Sequence, residues 1–124
     1  GKSQLSVMEL DGPDISKYGV VVPKGSGAGV AGLVEKPDAK DAPWNLTSIG
    51  RYVLTSDIFQ ILLGLSVGSG GEIQLADAIH QQAKKGMVEV VAMNAKRFDC
   101  GSIDGYISAV NHEVRSRYLR QDQI

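Results

Sequence analysis

An α/β or α+β fold is what this 124-residue sequence predicts, and three observations carry the reading. The first half consists of short β-branched segments cut by proline and glycine. The second half changes period, its apolar residues stepping by three or four as on one face of a helix. The two kinds of segment mix without the regular alternation of a complete doubly wound sheet. The pattern is that of the later part of an α/β domain.

Residues 3–10 alternate in part between apolar and polar, which predicts a strand. Asp11-Gly12-Pro13-Asp14 is a turn, since Pro13 fixes φ while Gly12 and Asp14 tolerate tight backbone. Residues 18–22 carry Val20, Val21 and Val22 and read as a buried strand stopped by Pro23. Loop 24–29 leads to a strand over 30–35, stopped by Pro37, and the two strands are expected to pair as a hairpin with a flexible tip. Residues 38–45 are polar, include Pro43 and read as loop. A strand follows over 48–55, centred on Tyr52 and Val53.

Ser56 or Asp57 is placed to cap a helix bearing Ile58, Phe59, Ile61, Leu62 and Leu65, which Gly64 and the glycines from Gly68 to Gly71 end. Glu72 opens a second helix with Leu75, Ala76, Ile79 and Ala83 on one face and Gly86 at its end. Residues 88–93 and Arg97-Phe98 read as short strands. Ile103, Tyr106, Ile107, Val110, Val114 and Tyr118 then define an amphipathic C-terminal helix.

Composition narrows the function classes. Thirteen Lys and Arg against 14 Asp and Glu leave a net charge of -1, which offers no basic face for nucleic acid. Cys100 is the single cysteine, so no internal disulfide forms and a reducing interior suits the chain. No apolar run approaches the roughly 20 residues that span a bilayer. The start at Gly1 carries no apolar leader and no methionine, so the chain is processed, tagged or cut from something longer, and a cytoplasmic setting is the expectation.

Three segments could carry chemistry. Gly27-Ala28-Gly29-Val30-Ala31-Gly32 matches the dinucleotide fingerprint G-x-G-x-x-G, but that motif needs a helix after its glycines. Pro37 and the strand-like residues 30–34 leave no room for one, so these glycines read as a hairpin loop. Glu35-Lys36-Pro37 sets a carboxylate and an ammonium at a strand end. The first can accept hydrogen bonds from sugar hydroxyls and the second can pair with a phosphate. Phe98-Asp99-Cys100-Gly101 presents a carboxylate ahead of the last helix, a way to offer a hard cation one of its few protein ligands. Asp99 could instead cap that helix, although Ser102 lies nearer its start. His80 and His112 fall inside helical patterns and pair with no cysteine, so no Cys-His mechanism is expected.

Taken in order, Tyr18-Gly19-Val20-Val21, Val34-Glu35-Lys36-Pro37, Asn45-Leu46, Gly50-Arg51-Tyr52-Val53-Leu54, Gly71-Glu72-Ile73-Gln74-Leu75 with Asp77-Ala78-Ile79, and Phe98-Asp99-Cys100-Gly101 resemble the bacterial UTP–glucose-1-phosphate uridylyltransferases, or UDP-glucose pyrophosphorylases. Each motif alone is weak, whereas the ordered set, running from Tyr18 to Val114, is specific. The resemblance implies the C-terminal part of a Rossmann-like nucleotidyltransferase domain: a mixed sheet with flanking helices, its N-terminal nucleotide-binding half missing. Residues 1–124 would be the sugar-phosphate-binding portion of that single domain. The implied reaction joins UTP and glucose 1-phosphate into UDP-glucose and pyrophosphate with Mg²⁺.

By the same resemblance Glu35 would bind sugar hydroxyls, Gly19 would let the sugar approach the backbone, and Ser48 would sit near the sugar. Lys36 would hold the sugar's phosphate and Asp99 would be one of two metal-binding aspartates, which makes these two the catalytic candidates. A homo-oligomer is expected, with neither nucleic acid nor membrane as a partner. No G-x-G-T-R-like nucleotide loop occurs in the sequence, so the isolated chain is expected to be inactive. The alternatives are a non-catalytic sugar-phosphate-binding or dimerisation module using the C-terminal helix over 103–119, and a thymidylyl or adenylyl relative.

Overall fold

The computed structural model describes residues 1–68 and 71–118. The chain forms two compact units, Gly1–Met93 and Asn94–Ile124. The first is built on a mixed five-stranded sheet of β1 (Ser3–Glu9), β2 (Gly19–Pro23), β3 (Val30–Glu35), β4 (Leu46–Val53) and β5 (Val88–Ala92), in the order β3-β2-β4-β1-β5. β1 lies between β4, to which it runs antiparallel, and β5, to which it runs parallel. Its partial alternation suffices to bury Ser3, Leu5 and Val7 on one face. Two helices of this unit, α1 (Ile58–Gly64) and α2 (Leu75–Lys84), supply Ile58, Ile61, Ala78, Ile79 and Ala83 to the core formed with Leu5, Val7, Val21, Leu33 and Val88. The mixed α/β architecture expected from the sequence is therefore present.

Several boundaries differ from the sequence reading, each for a local reason. β4 runs Leu46–Val53 rather than over 48–55, because the Thr55 N–H leaves the ladder to donate to Ser3 Oγ at 3.0 Å. Glu72 opens no helix. Its carbonyl accepts from the Gly68 N–H at 3.0 Å, Gly71 has φ 78°, and α2 starts only at Leu75, after Gln74 in extended backbone. The turn at residues 11–14 continues into a 3-10 helix, Pro13–Lys17, and the loop at 38–45 contains another, Ala39–Asp41. Arg97-Phe98 is not a strand: β5 ends at Ala92, and the Phe98 ring lies 5.1 Å from that of His112 with Lys96 over it.

Asp57 occupies the N-cap of α1, yet its side chain makes no capping bond. Its carboxylate belongs to a polar cluster tying β1, the β4–α1 turn and α2 together. Ser3 Oγ donates to Gln82 Oε1 at 2.8 Å. Gln82 Nε2 reaches Thr55 Oγ1 at 3.0 Å and Asp57 Oδ1 at 2.9 Å, and the Thr55 hydroxyl also donates to Asp57. Ser3 and Gln82 are fully buried, and these bonds satisfy them. Donation from Thr55, then from Gln82, holds the Asp57 carboxyl below its ordinary value of 3.8.

The second unit carries α3 (Ile103–Arg117). Ser102 caps it, its hydroxyl accepting from the Gly105 N–H at 3.1 Å, as the sequence predicts. Gly86, with φ 72°, follows the end of α2, also as predicted. The expected interface helix over 103–119 extends to Leu119, which lies outside the described residues.

Candidate functional site

The hairpin and its neighbour bring the candidate residues together through strand register. Glu35 at the end of β3 stands opposite Gly19 at the start of β2, and Gly19 stands opposite Ser48 of β4. Residues paired across antiparallel strands share a face, so Glu35, Gly19 and Ser48 form one row across three strands. The middle position has no side chain, and Glu35 uses that space. A Cβ on Gly19 would lie 2.9 Å from Glu35 Oε2 and 3.4 Å from Leu33 Cδ1. Substitution Gly19→Ala is therefore expected to push the Glu35 carboxylate out of the row. The measurement is the Glu35 side-chain carboxyl carbon resonance by NMR; an unshifted resonance in a folded variant would contradict the arrangement.

Lys36 follows in an unusual conformation. Its φ of 47° is left-handed, and it is the one positive-φ residue other than glycine among those described. Its backbone N–H donates to the Tyr18 carbonyl at 3.1 Å, and the exposed side chain leaves the end of β3. A non-glycine residue keeps this backbone only where its surroundings hold it, and such residues gather at functional sites.

Ser48 is 7% exposed, and its hydroxyl donates to Tyr52 Oη at 3.4 Å. Tyr52, which the sequence reading places at a strand centre and in the Gly50–Leu54 motif but not among the site residues, thus reaches the row through Ser48. The contact depends on an irregularity between the Ser48↔Val7 and Tyr52↔Leu5 pairs, where Gly50 has φ 80°. Residues 10–15 and 39–45 contribute Asp11, Lys40, Trp44 and Asn45 to a groove of about 540 Å³, which none of Gly19, Glu35, Lys36 and Ser48 lines.

Asp99 lies in the second unit. Its Oδ1 accepts from the Gly101 N–H at 3.0 Å, an Asx-type turn, and it does not cap α3. A Cβ on Gly105 would overlap the Asp99 carbonyl oxygen, so that glycine shapes the turn presenting Asp99. Among the described residues no group of three or more His, Cys, Asp or Glu is placed to hold a metal ion. An exposed aspartate on a glycine turn suits Mg²⁺, which takes only one or two protein carboxylates and completes its shell with water and phosphate oxygens. The glycines of the G-x-G-x-x-G match sit in the hairpin loop and in β3 itself, with no helix after them.

The family model described as nucleotidyl transferase matches residues 1–116. The chain belongs to the nucleotidyl transferase family. Among curated relatives, a UTP–glucose-1-phosphate uridylyltransferase of Pseudomonas aeruginosa is 46% identical over 110 residues, covering 86% of this chain and 39% of the relative. That of Escherichia coli K12 is 41% identical over 126 residues, covering 96% of this chain and 41% of the relative. A solved UDP-glucose pyrophosphorylase complexed with UDP-glucose superposes with a TM-score of 0.83 at 41% identity, covering 94% of this chain and 45% of that one. The chain thus spans about two fifths of the length of the curated relatives it matches. A thymidylyltransferase from Bacillus anthracis, at 20% identity and TM-score 0.71, shares the fold. The family resemblance read from the ordered motifs is borne out.

Proposed function

We propose that this chain is the sugar-phosphate-binding portion of a UTP–glucose-1-phosphate uridylyltransferase. The observation that carries the reading is Lys36 held at φ 47° directly after Glu35 in the Glu35–Gly19–Ser48 row. A sugar phosphate presents the matching pair of groups: hydroxyls for a carboxylate and a dianion for an ammonium. The relatives' names supply uridylyl transfer, and 46% identity supports it over the thymidylyl alternative.

In this mechanism a phosphate oxygen of glucose 1-phosphate attacks the nucleotide's α-phosphorus in line, and pyrophosphate leaves. No protein nucleophile is required; alignment and charge neutralisation lower the barrier. Glu35 orients the sugar through its hydroxyls, and Lys36 holds the attacking phosphate. Mg²⁺, when bound, would neutralise charge on the phosphates; Asp99 of the second unit is proposed as a metal-binding carboxylate on the family likeness alone. The partner nucleotide loop has no counterpart in the sequence, so the chain binds sugar phosphate without turning it over. The proposal extends to a cytoplasmic setting and to homo-oligomeric assembly.

The test is calorimetric titration of the chain with glucose 1-phosphate, glucose and inorganic phosphate, alongside a pyrophosphate-release assay with UTP. Binding of glucose 1-phosphate in preference to either fragment, without pyrophosphate release, is expected. Equal or absent response to all three ligands would overturn the reading. The dimerisation alternative has one observation in its favour: Ile103, Tyr106, Ile107, Val110, Val114 and Tyr118 of the C-terminal stripe are all exposed.

A further inference from the structure

We propose that His80 is a positioning residue, latching the edge strand β3 to α2 and so fixing the Glu35-Lys36 end of that strand. β3 is the first strand in the sheet order, and an edge strand presents backbone N–H groups with no strand to receive them. In the middle of β3 the Leu33 N–H donates to His80 Nδ1 at 3.2 Å. Acceptance at Nδ1 places the ring proton of a neutral imidazole on Nε2.

The ring lies against glycine. A Cβ on Gly32 would fall 2.8 Å from both Cε1 and Nδ1 of His80, and 3.6 Å from Val22 Cγ2. No side chain fits at position 32 while His80 keeps its bond, so Gly32 and His80 work as a pair. The helix carrying the imidazole is itself fixed, because Ala78 and Ile79 just before it are fully buried. His80 therefore offers β3 a rigid anchor.

The latch matters because the candidate site begins just beyond it. Leu33 stands two residues before Glu35 and three before Lys36, whose left-handed backbone needs its surroundings to hold it. Three contacts restrain this strand end: the ladder to β2, the Tyr18 carbonyl on the Lys36 N–H, and His80 on the outer edge. With the third removed, β3 frays from its free side and Lys36 relaxes toward extended backbone. The ligand this positioning serves rests on the sugar-phosphate reading above, whereas the latch itself does not.

Amide hydrogen exchange by NMR, at Leu33 and at Lys36, separates the two. His80→Leu and Gly32→Ala are expected to speed both amides by roughly fivefold or more, the effect of losing one hydrogen bond. His80→Asn, whose carbonyl oxygen can accept in place of Nδ1, is expected to restore wild-type rates. Glucose 1-phosphate, titrated into the same samples, is expected to bind about fivefold more weakly to His80→Leu and Gly32→Ala, and normally to His80→Asn. Unchanged Lys36 exchange in folded His80→Leu or Gly32→Ala overturns the latch, and so does a failure of His80→Asn to restore it. Should His80→Leu fail to fold, Gly32→Ala read against wild type decides alone. If wild-type chain ignores glucose 1-phosphate, the sugar-phosphate reading falls and the Lys36 exchange still judges the latch.

Discussion

Lys36→Ala weakens glucose 1-phosphate binding by about a hundredfold while leaving the fold intact. Truncating one partner of a close charge pair costs roughly 2–5 kcal/mol, and the phosphate would lose its only ammonium in the row. The fold survives because the Lys36 side chain is exposed, and the bond from its backbone N–H to Tyr18 needs no side chain. Lysine and alanine carry the same Cβ and feel the same strain at φ 47°. Lys36→Gly removes that strain as well, so it is expected to bind as poorly as Lys36→Ala and to be about 1 kcal/mol more stable. Calorimetric titration and thermal melts check both statements. Binding by Lys36→Ala within twofold of wild type would move the phosphate elsewhere.

The largest expected loss of stability comes from Gln82→Ala. Gln82 is fully buried and bonds Ser3, Thr55 and Asp57, so its removal leaves a buried hydroxyl with one partner fewer and opens a cavity. The cost is about 2–4 kcal/mol, or a fall in Tm of roughly 10 °C or more for a unit of this size. Differential scanning calorimetry reads it directly. The acid limb carries a second mark of the same cluster. The Asp57 carboxyl is held below its ordinary value of 3.8, so its contribution is present above that pH and is lost as pH falls through the lowered value. In Gln82→Ala one of the two side-chain donors is gone, and Tm is expected to fall less steeply on acidification below pH 3.8 than in wild type.

The strands were legible where local chemistry and packing agree. Valines at 20–22 and the proline stops bounded β2 and β3, and Ser102 declared its own cap. What stayed hidden was set by partners distant in sequence. Nothing local says that Thr55 would leave β4 to serve Ser3, or that Asp57 would turn from its helix toward Gln82. Glu72 opens no helix because Gly71 holds φ 78° and the Glu72 carbonyl accepts from the Gly68 N–H, leaving Gln74 extended ahead of α2. In the site, Glu35-Lys36-Pro37 was visible as a motif, whereas the sugar-facing role expected of Gly19 rests on likeness alone. That Gly19 makes room for Glu35, and Gly32 for His80, depends on register, which one sequence does not display. Tyr52 had a signal in Gly50, a glycine inside a strand, which marks a bulge able to bring residues 48 and 52 together.

The position of β1 has a kinetic consequence. Its neighbours are β4, whose paired residues lie 37 to 49 positions on, and β5, which pairs Val88 with Ser3. The sheet cannot close around β1 until that late segment exists. Such non-local pairing slows folding, because loop entropy is lost before contacts reward it.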